Sequence, residues 1–335
     1  MAEDHRPGAV YWIDHYVVGT NNLEAWSDFY SNVFGAIPRE MGTGRNDRRP
    51  PAVFTFVGKR CHVGAFVQDQ ELPPATGLGE GRPRYSWFIR PEDINEHLRR
   101  LDRYHVPHTD PVRTSEEGQD GNAVCFADPD GNQLELWAPT RMPDGAMDEP
   151  SAVKIGKICG VAQESRDLQG SADFYTRFCA IDPIYSADIP KDTLAFALEG
   201  GGRIVFKETD SLSLLTGGHS QWRGLHTALV VRDDEMMPAY ERMWAALPES
   251  SEEAGAPATG VADEARPART GYHGNPAGKE WIAEFGRGDE FYDWDTNSYH
   301  FVGGVPVEGS MGRYTSRGSR TYIAEHAAAR GNSTK

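Results

Sequence analysis

The stretch WIDHYVVGTNNLEAWSDFYSNVFG (12–35) returns later in the chain as KICGVAQESRDLQGSADFYTRFCA (157–180). Laying Phe29 on Phe174 aligns the two copies without a gap, at an offset of 145 residues. Each copy opens with a short apolar run, passes through a polar turn, and ends in a stretch with aromatic residues at helical spacing. Each copy therefore predicts a strand followed by a helix, and the chain carries an internal repeat.

A second pair of matching segments extends the repeat. The segment SWFIRPEDINEHLRRL (86–101) matches TALVVRDDEMMPAYERM (227–243), at an offset of 141 residues. Strand-like runs lie between these landmarks, and each copy ends in a hairpin signal, AVCFADPDGNQLELW (123–137) or FYDWDTNSYHFV (291–302). Each copy is thus predicted to be a pair of βαβββ units forming a curled mixed sheet, and the predicted fold class is α+β.

The repeat predicts two tandem domains, which agrees with a length of 335 residues. Domain 1 is expected at 8–142 and domain 2 at 153–305, with a linker at 143–152 and a C-terminal tail at 306–335. The segment 249–270 is rich in Ala, Pro, Gly and Glu and has no counterpart in the first copy. It is predicted to be a flexible acidic insertion.

Composition and charge exclude several classes of function. The chain has 34 Lys plus Arg and 50 Asp plus Glu, which gives a formal net charge of −16. Nucleic acids and anionic membrane surfaces both require a basic face, and no apolar run approaches the ~18–20 residues of a spanning helix. The four cysteines form no CxxC pair and indicate neither a zinc cage nor a disulfide framework. We expect a cytoplasmic protein with no nucleic-acid or membrane partner.

The segment HYVVGTNNLEAWSDFYSNVFGA (15–36), followed by FADPDGNQLELWAP (126–139), resembles the vicinal oxygen chelate superfamily. That superfamily includes glyoxalase I, type I extradiol ring-cleaving dioxygenases and bleomycin-resistance proteins. The resemblance covers both copies, and two tandem domains resemble the dioxygenase layout. It implies sheets that curl into cups, with metal ligands on strands one, five and eight. The ion keeps open positions for a substrate with two adjacent oxygens.

The resemblance implies one candidate ligand in each of these strands. The first copy offers His15, Tyr85 and Glu135, and the second offers Gly160, His226 and His300. Neither set is a good triad. Exchange of strand one between the copies, an arrangement known in the superfamily, gives a complete metal site of His15, His226 and His300. The other site would then be empty, with Glu135 kept as part of the fold signature.

The predicted triad departs from the dioxygenase pattern of two His and one Glu, because His300 stands at the Glu position. Three neutral imidazoles leave a divalent ion at +2, which favours an anionic chelating substrate such as a catecholate or enolate. Gly64 and Ala65 lie near the place of the fourth ligand of glyoxalase I, a Glu, which argues against glyoxalase chemistry. Fe(II) is the expected cofactor, with Mn, Co, Ni or Zn as alternatives. Each imidazole could instead be a buried histidine with a backbone partner.

Further site residues follow from the same resemblance. The segment GYHGNPAG (271–278) is similar to a segment of extradiol enzymes, so His273 is the predicted acid–base group. Tyr292 shares the parity of His300 and is the second predicted catalytic residue. The predicted substrate-binding residues are Trp222, Trp294, Phe301 and His219. The remaining histidines singled out, expected at the surface or in turns, are His62, His97, His105 and His108.

The resemblance implies a mononuclear non-haem metal-dependent dioxygenase acting with O2 on an aromatic diol or a similar bidentate oxygen substrate. One alternative is a glyoxalase-like isomerase or lyase that needs no O2. Another, from a different class, is a metal-free protein that binds a small aromatic compound. Association of such sheets edge to edge would give a homodimer.

Overall fold

The computed structural model describes residues 6–41, 52–58, 61–73, 77–81, 83–114, 120–210, 212, 225–232, 235, 238–239, 242, 268–270, 290–292 and 298–303. Its strands are β1 Val10–Thr20, β2 Ile37–Met41, β3 Ala52–Val57, β4 Cys61–Val67, β5 Arg84–Phe88, β6 Val112–Thr114, β7 Gly121–Ala127, β8 Gln133–Pro139, β9 Ile158–Ser165, β10 Thr193–Ala197, β11 Arg203–Glu208, β12 His226–Val231, β13 Ala268–Thr270, β14 Glu290–Tyr292 and β15 Ser298–Gly303. Its helices are α1 Leu23–Phe34, α2 Ile94–Arg103 and α3 Leu168–Phe178, with a 3-10 turn at Pro91–Asp93.

The strand–helix starts of the two copies form as the sequence predicts. The side chain of Asn22 accepts a hydrogen bond from the backbone N–H of Ala25 and so caps the N-terminus of α1. Asp167 caps α3 in the same way, accepting from the backbone N–H of Gly170. Helix α1 ends at Gly35, whose φ of 62° lies in the left-handed region that glycine adopts at low cost.

The strands form two mixed sheets, each built from both halves of the chain. The first sheet has the order β13-β14-β15-β12-β1-β4-β3-β2, and the second has the order β10-β11-β9-β5-β8-β7-β6. In the first sheet β1 pairs antiparallel with β12, and in the second β5 pairs antiparallel with β9. The α+β prediction is confirmed. Strand one of each copy lies beside strand five of the other.

The hydrophobic core contains the aromatic residues of the repeat. Tyr30 and Tyr175, which align at the offset found in the sequence, are both fully buried. Tyr30 stacks against Phe34, and Tyr175 packs against Phe196 and Phe206. The aromatic pairs of the two helices are therefore core residues rather than parts of a binding site.

The DPDGN turn (128–132) joins the β7–β8 hairpin to the start of α1. Asp128 accepts hydrogen bonds from the backbone N–H groups of Asp130 and Asn132. Asp130 accepts from the hydroxyl of Thr20 and the backbone N–H of Asn21, and the Asn132 amide donates to the carbonyl of Gly19. This signature is structural, because its polar groups are used to fix the end of β1.

Several predicted segments are not covered. Most of the predicted insertion, 249–267, and the predicted tail, 306–335, lie outside the described residues. Within the described part of the chain, no helix has both the length and the apolar character needed to cross a membrane.

Candidate metal centre

The candidate site begins at an irregularity in β1. Between Ile13, which pairs with Leu229, and His15, which pairs with Ala228, β1 has one residue more than β12. Such an extra residue is a β-bulge, and it breaks the alternation that would send neighbouring side chains to opposite faces. The extra residue is Asp14. The bulge therefore allows Asp14 and His15 to meet.

Asp14 and His15 form a close, buried pair. The carboxylate Oδ2 of Asp14 lies 2.6 Å from Nδ1 of His15, and the two side chains are each 6% exposed. A carboxylate can only accept here, so Nδ1 of His15 donates, which leaves Nε2 with a lone pair when the ring is neutral. Metal-ligating histidines are commonly oriented by a carboxylate in this way. The sequence analysis did not identify Asp14.

His226 completes a histidine pair with His15. Its Nε2 atom lies 3.2 Å from Nε2 of His15, with the ring centroids 5.3 Å apart and the planes at 79°. Two nitrogens at this separation subtend roughly 100° at an ion placed ~2.1 Å from each, between octahedral and tetrahedral angles. Without an ion, Nε2–H of His226 can donate to Nε2 of His15. The structure thus brings these two of the three predicted ligands together.

The third predicted ligand, His300, lies level with this pair in the backbone. Ala228 on β12 pairs with His15 on one side and with His300 on the other. On its outer side, His15 pairs with His62 of β4. We call His62, His15, Ala228 and His300 the histidine row. The side chains of His62 and His300 lie outside the described part of the structure, and only their register is used.

The register of β4 shows which of its residues lies level with His15. Gly64, which the sequence analysis set at the fourth-ligand position, pairs with Val17 and is not level with His15. Ala65 pairs with Val18, so it is not level either. The residue of β4 in register with His15 is His62, at a position that had been expected to be at the surface or in a turn.

The other predicted site residues are placed only in part. In the described backbone Phe301 pairs with Leu229, and Tyr292 pairs with Ser298 rather than with His300. The register partner of His300 on β14 is Glu290. The remaining predicted residues, His273, Trp222, Trp294 and His219, lie outside the described residues.

Tyr85 is not equivalent to His226, and the alignment that paired them is wrong by one residue. His226 pairs with Val17, whose repeat equivalent Ala162 pairs with Arg84. Tyr85 is equivalent to Thr227. Burial raises its pKa above the usual range of a phenol, and its ring stacks on Tyr16 with centroids 3.8 Å apart. Tyr85 is a neutral core residue.

Glu135 is buried among arginines in the second sheet. Its Oε1 accepts from Nη2 of Arg203 at 2.8 Å, and its Oε2 lies 3.2 Å from Nε of Arg84. The Cys125 thiol is 3.9 Å from the same Oε2. A carboxylate bonded to a guanidinium is not a metal ligand as it stands. In the described structure Glu135 is thus paired with arginine side chains rather than with an imidazole.

Among the residues that the structure describes, no three His, Cys, Asp or Glu side chains come together around one point. The described portion of the candidate centre is therefore the His15–His226 pair with Asp14 behind it. Imidazole nitrogens are suitable donors for Fe, Co, Ni, Cu and Zn. The residues present fit a divalent transition metal, with His300 as the expected third ligand.

Comparison with known proteins agrees with the fold. The two mixed sheets are consistent with the fold of the vicinal oxygen chelate superfamily. Residues 12–136 match the family model described as the Glyoxalase/Bleomycin resistance protein/Dioxygenase superfamily. No curated protein matches the chain at the level of sequence.

Solved structures share this architecture over most of the chain. One is a proposed dioxygenase from Bacillus subtilis strain 168, with a TM-score of 0.59 and 14% identity over 98% of this chain and 97% of that one. Another is glyoxalase I from Zea mays, with a TM-score of 0.52 and 14% identity over 87% of this chain and 92% of that one. At such identities the similarity establishes the fold. The resemblance found in the sequence is supported in that respect.

Replacing Asp14 by asparagine should weaken binding of a divalent metal by about 10–100-fold, the usual effect of losing the carboxylate behind a ligating histidine. The amide keeps the size of the side chain but loses the charge that favours the Nδ1–H tautomer of His15. Metal affinity would be measured by competition with a chromogenic chelator. Asp28→Asn, at an exposed position of α1, is the control. Equal affinity in Asp14→Asn and wild type would contradict the orienting role.

One histidine expected at the surface is buried. His97 on α2 is 3% exposed, and its Nε2 has no hydrogen-bond partner among the described residues. Burial lowers the pKa of His97 from 6.5 to about 4. The prediction for His97 is wrong because His97 lies on the face of α2 that carries Leu101 into the hydrophobic core. His105, just after α2, is exposed as expected.

His97 should make the protein acid-sensitive. Because its pKa is lower in the folded than in the unfolded chain, it stabilises the fold above pH 6.5 and loses this contribution as the pH falls towards about 4. The loss amounts to about 3 kcal/mol over that interval. Urea unfolding of His97→Gln between pH 7 and pH 4 should show a shallower decline than wild type. His105→Gln should leave the decline unchanged, and an unchanged decline in His97→Gln would refute the assignment.

Proposed function

We propose that this protein is a mononuclear metal-dependent enzyme in which His15, His226 and His300 hold one divalent ion. The observation that carries the proposal is the 3.2 Å separation of two buried Nε2 atoms, one of them oriented by a carboxylate. A buried pair of this kind brings together two lone pairs from distant parts of the chain. Two imidazoles that meet in this way, with a carboxylate behind one of them, are typical of a metal-ligand set.

The substrate class follows from charge. Three neutral imidazoles leave the ion at +2, and the −16 net charge of the chain gives no general attraction for anions. An anionic chelator with two adjacent oxygens, such as a catecholate, would supply the missing negative charge at the ion itself. We therefore propose an aromatic diol, or a related enolisable compound, as substrate.

The proposed reaction is an oxygen-dependent ring cleavage with Fe(II). When bound, the ion would lower the pKa of both substrate oxygens and bring O2 beside them. The chain supplies the ligand geometry through β1 and β12. Asp14 keeps the Nε2 lone pair of His15 directed at the site, and the buried position of both histidines limits access of water. His273 is the proposed acid–base group, with Tyr292 as a second catalytic residue.

A glyoxalase-like isomerase is the second candidate. The observation that favours it is that His62 on β4 pairs with His15 in the backbone. Strand β4 is the one that carries the fourth ligand in glyoxalase I, and a histidine there is a residue type that can bind a metal. Such an enzyme would use Ni, Co or Zn and would need no O2.

Turnover with and without oxygen separates these proposals. Purified protein would be stripped of metal, reloaded separately with Fe(II), Ni(II) and Zn(II), and assayed on catechols and hydroquinones in air and under nitrogen. We expect activity with Fe(II) in air only. Activity of the Ni(II) form on 2-oxoaldehyde thiohemiacetals under nitrogen would favour the isomerase. Protein that binds no metal but retains an aromatic ligand would overturn both.

A further inference from the structure

The second sheet has its own row of four residues in register. Arg203 on β11 pairs with Gly160 on β9, Gly160 pairs with Ser86 on β5, and Ser86 pairs with Glu135 on β8. We call Arg203, Gly160, Ser86 and Glu135 the arginine row. It is the repeat equivalent of the histidine row, strand by strand.

The side chain of Arg203 spans the arginine row from one end to the other. Arg203 is 2% exposed and reaches across the intervening strands to place Nη2 2.8 Å from Oε1 of Glu135. The two residues between them are small. A Cβ at Gly160 would lie 3.1 Å from Cγ of Arg203 and 3.5 Å from Cβ of Ser86. Glycine at 160 has no side chain that could bind a metal. Its missing side chain also leaves the space that Arg203 occupies on its way to Glu135.

The guanidinium lies in a site built for a cation. The Arg203 Cζ atom lies 4.3 Å from the ring centre of Trp137, and the other carboxylate oxygen of Glu135 forms an ion pair with Arg84. Arg84 is itself held by a hydrogen bond from Nη1 to the carbonyl of Gly79. Arg84 is also the register equivalent of His226. Strand β9, the equivalent of β1, thus has Gly160 in place of a histidine and leaves space. Strand β5, the equivalent of β12, has the guanidinium of Arg84 in place of a histidine.

We propose that the guanidinium of Arg203 takes the place of a metal ion in the second sheet, so that this sheet binds none. Glu135 is the carboxylate partner of that internal cation. The site is closed to a metal because the carboxylate of Glu135 already forms ion pairs with two guanidinium groups. The positions equivalent to His15 and His226 hold Gly160 and Arg84, so no imidazole lies there. This inference concerns the second sheet and does not depend on the proposed reaction.

Metal stoichiometry tests the closure of the second sheet. Full-length wild type and the double variant His15→Ala/His226→Ala would be stripped and dialysed against Zn²⁺ as the probe. We expect one equivalent in wild type and none in the double variant. An equivalent that the double variant retains, and that is lost on adding Glu135→Gln, would overturn the inference. Wild type that binds no Zn²⁺ would count against the proposed function alone.

Chemical rescue tests the role of Arg203 as a cation. Arg203→Ala removes the side chain but leaves Glu135 paired with Arg84, so a folded protein is expected. Guanidinium chloride at low millimolar concentration should raise the unfolding temperature of this variant, whereas NaCl at equal ionic strength should not. Arg113→Ala, which breaks the exposed pair with Asp120, is the matched control and should show no rise. A variant that guanidinium fails to stabilise would contradict the proposal.

Discussion

Replacing His226 by alanine should abolish stoichiometric binding of a divalent metal and lower turnover roughly a thousandfold or more, since a catalytic ion contributes several kcal/mol to the barrier. The reason is geometric. His226 supplies one of two Nε2 atoms that lie 3.2 Å apart, and without it only two of the three proposed ligands remain. His15→Ala should have the same result, because the two nitrogens act as a unit. Metal content by elemental analysis and turnover on the best diol would be measured together.

The control for the histidine variants is His105→Ala. His105 is exposed, stands directly after α2, and should retain both metal and activity. Thermal unfolding would confirm that each variant is folded before its metal content is compared. If His15→Ala and His226→Ala both keep a full equivalent of metal, the proposed centre does not exist at this place. If metal is lost but turnover persists, the metal is not catalytic.

Glu135→Gln should destabilise the fold by about 3–5 kcal/mol, the usual cost of removing one partner of a buried ion pair. The loss is large because Arg203 and Arg84 would then be two like charges facing a neutral amide in a buried place. Urea unfolding at pH 7 would measure the change. Asp120→Asn breaks the exposed pair with Arg113 and should cost only about 0.2–1 kcal/mol.

A double variant tests the same prediction if Glu135→Gln alone fails to fold. Arg203→Met with Glu135→Gln removes one charge of each sign and keeps the length of the arginine stem. It should be more stable than Glu135→Gln, because one stranded guanidinium is gone. A Glu135→Gln protein as stable as wild type would show that Glu135 is not the charge partner of the arginines.

The sequence predicted those features that follow from local pattern. The strand–helix starts and the β7–β8 and β14–β15 hairpin pairings depend on residues close together in the chain, and these are present. The exchange of strand one was inferred from the family resemblance and from which combination of residues made a plausible ligand set. The same inference predicted that His15 and His226 lie together, although they are far apart in the sequence.

The register of strand five could not be predicted in the same way. Strands β5 and β12 are buried along their whole length. A strand buried on both faces has no alternation to fix its register, so a slip of one residue leaves the apolar pattern unchanged. The alignment that matched Ser86 with Thr227 made this slip. It hid the equivalence of Arg84 and His226, and with it the positive charge of the second sheet.

Asp14 and Arg203 were missed for a different reason. In a regular strand Asp14 would point away from His15, and only the bulge brings the two together. Arg203 lies on β11, and its partner Glu135 lies on β8, with two strands between them. Nothing in the local sequence of either residue indicates a bond over that distance. Such contacts become visible only when the order of strands in the sheet is known.

The sharing of strands between halves has a consequence for dissecting the molecule. Producing the chain as two separate fragments divided within the segment 143–152 would part β1 from β12 and β5 from β9, leaving each fragment with exposed sheet edges. One fragment would carry His15 and the other His226, so neither would contain the pair. Fragments made separately should therefore be insoluble or unstructured, whereas fragments produced together should reassemble and regain the centre. Neither half of the chain alone should therefore retain the proposed centre.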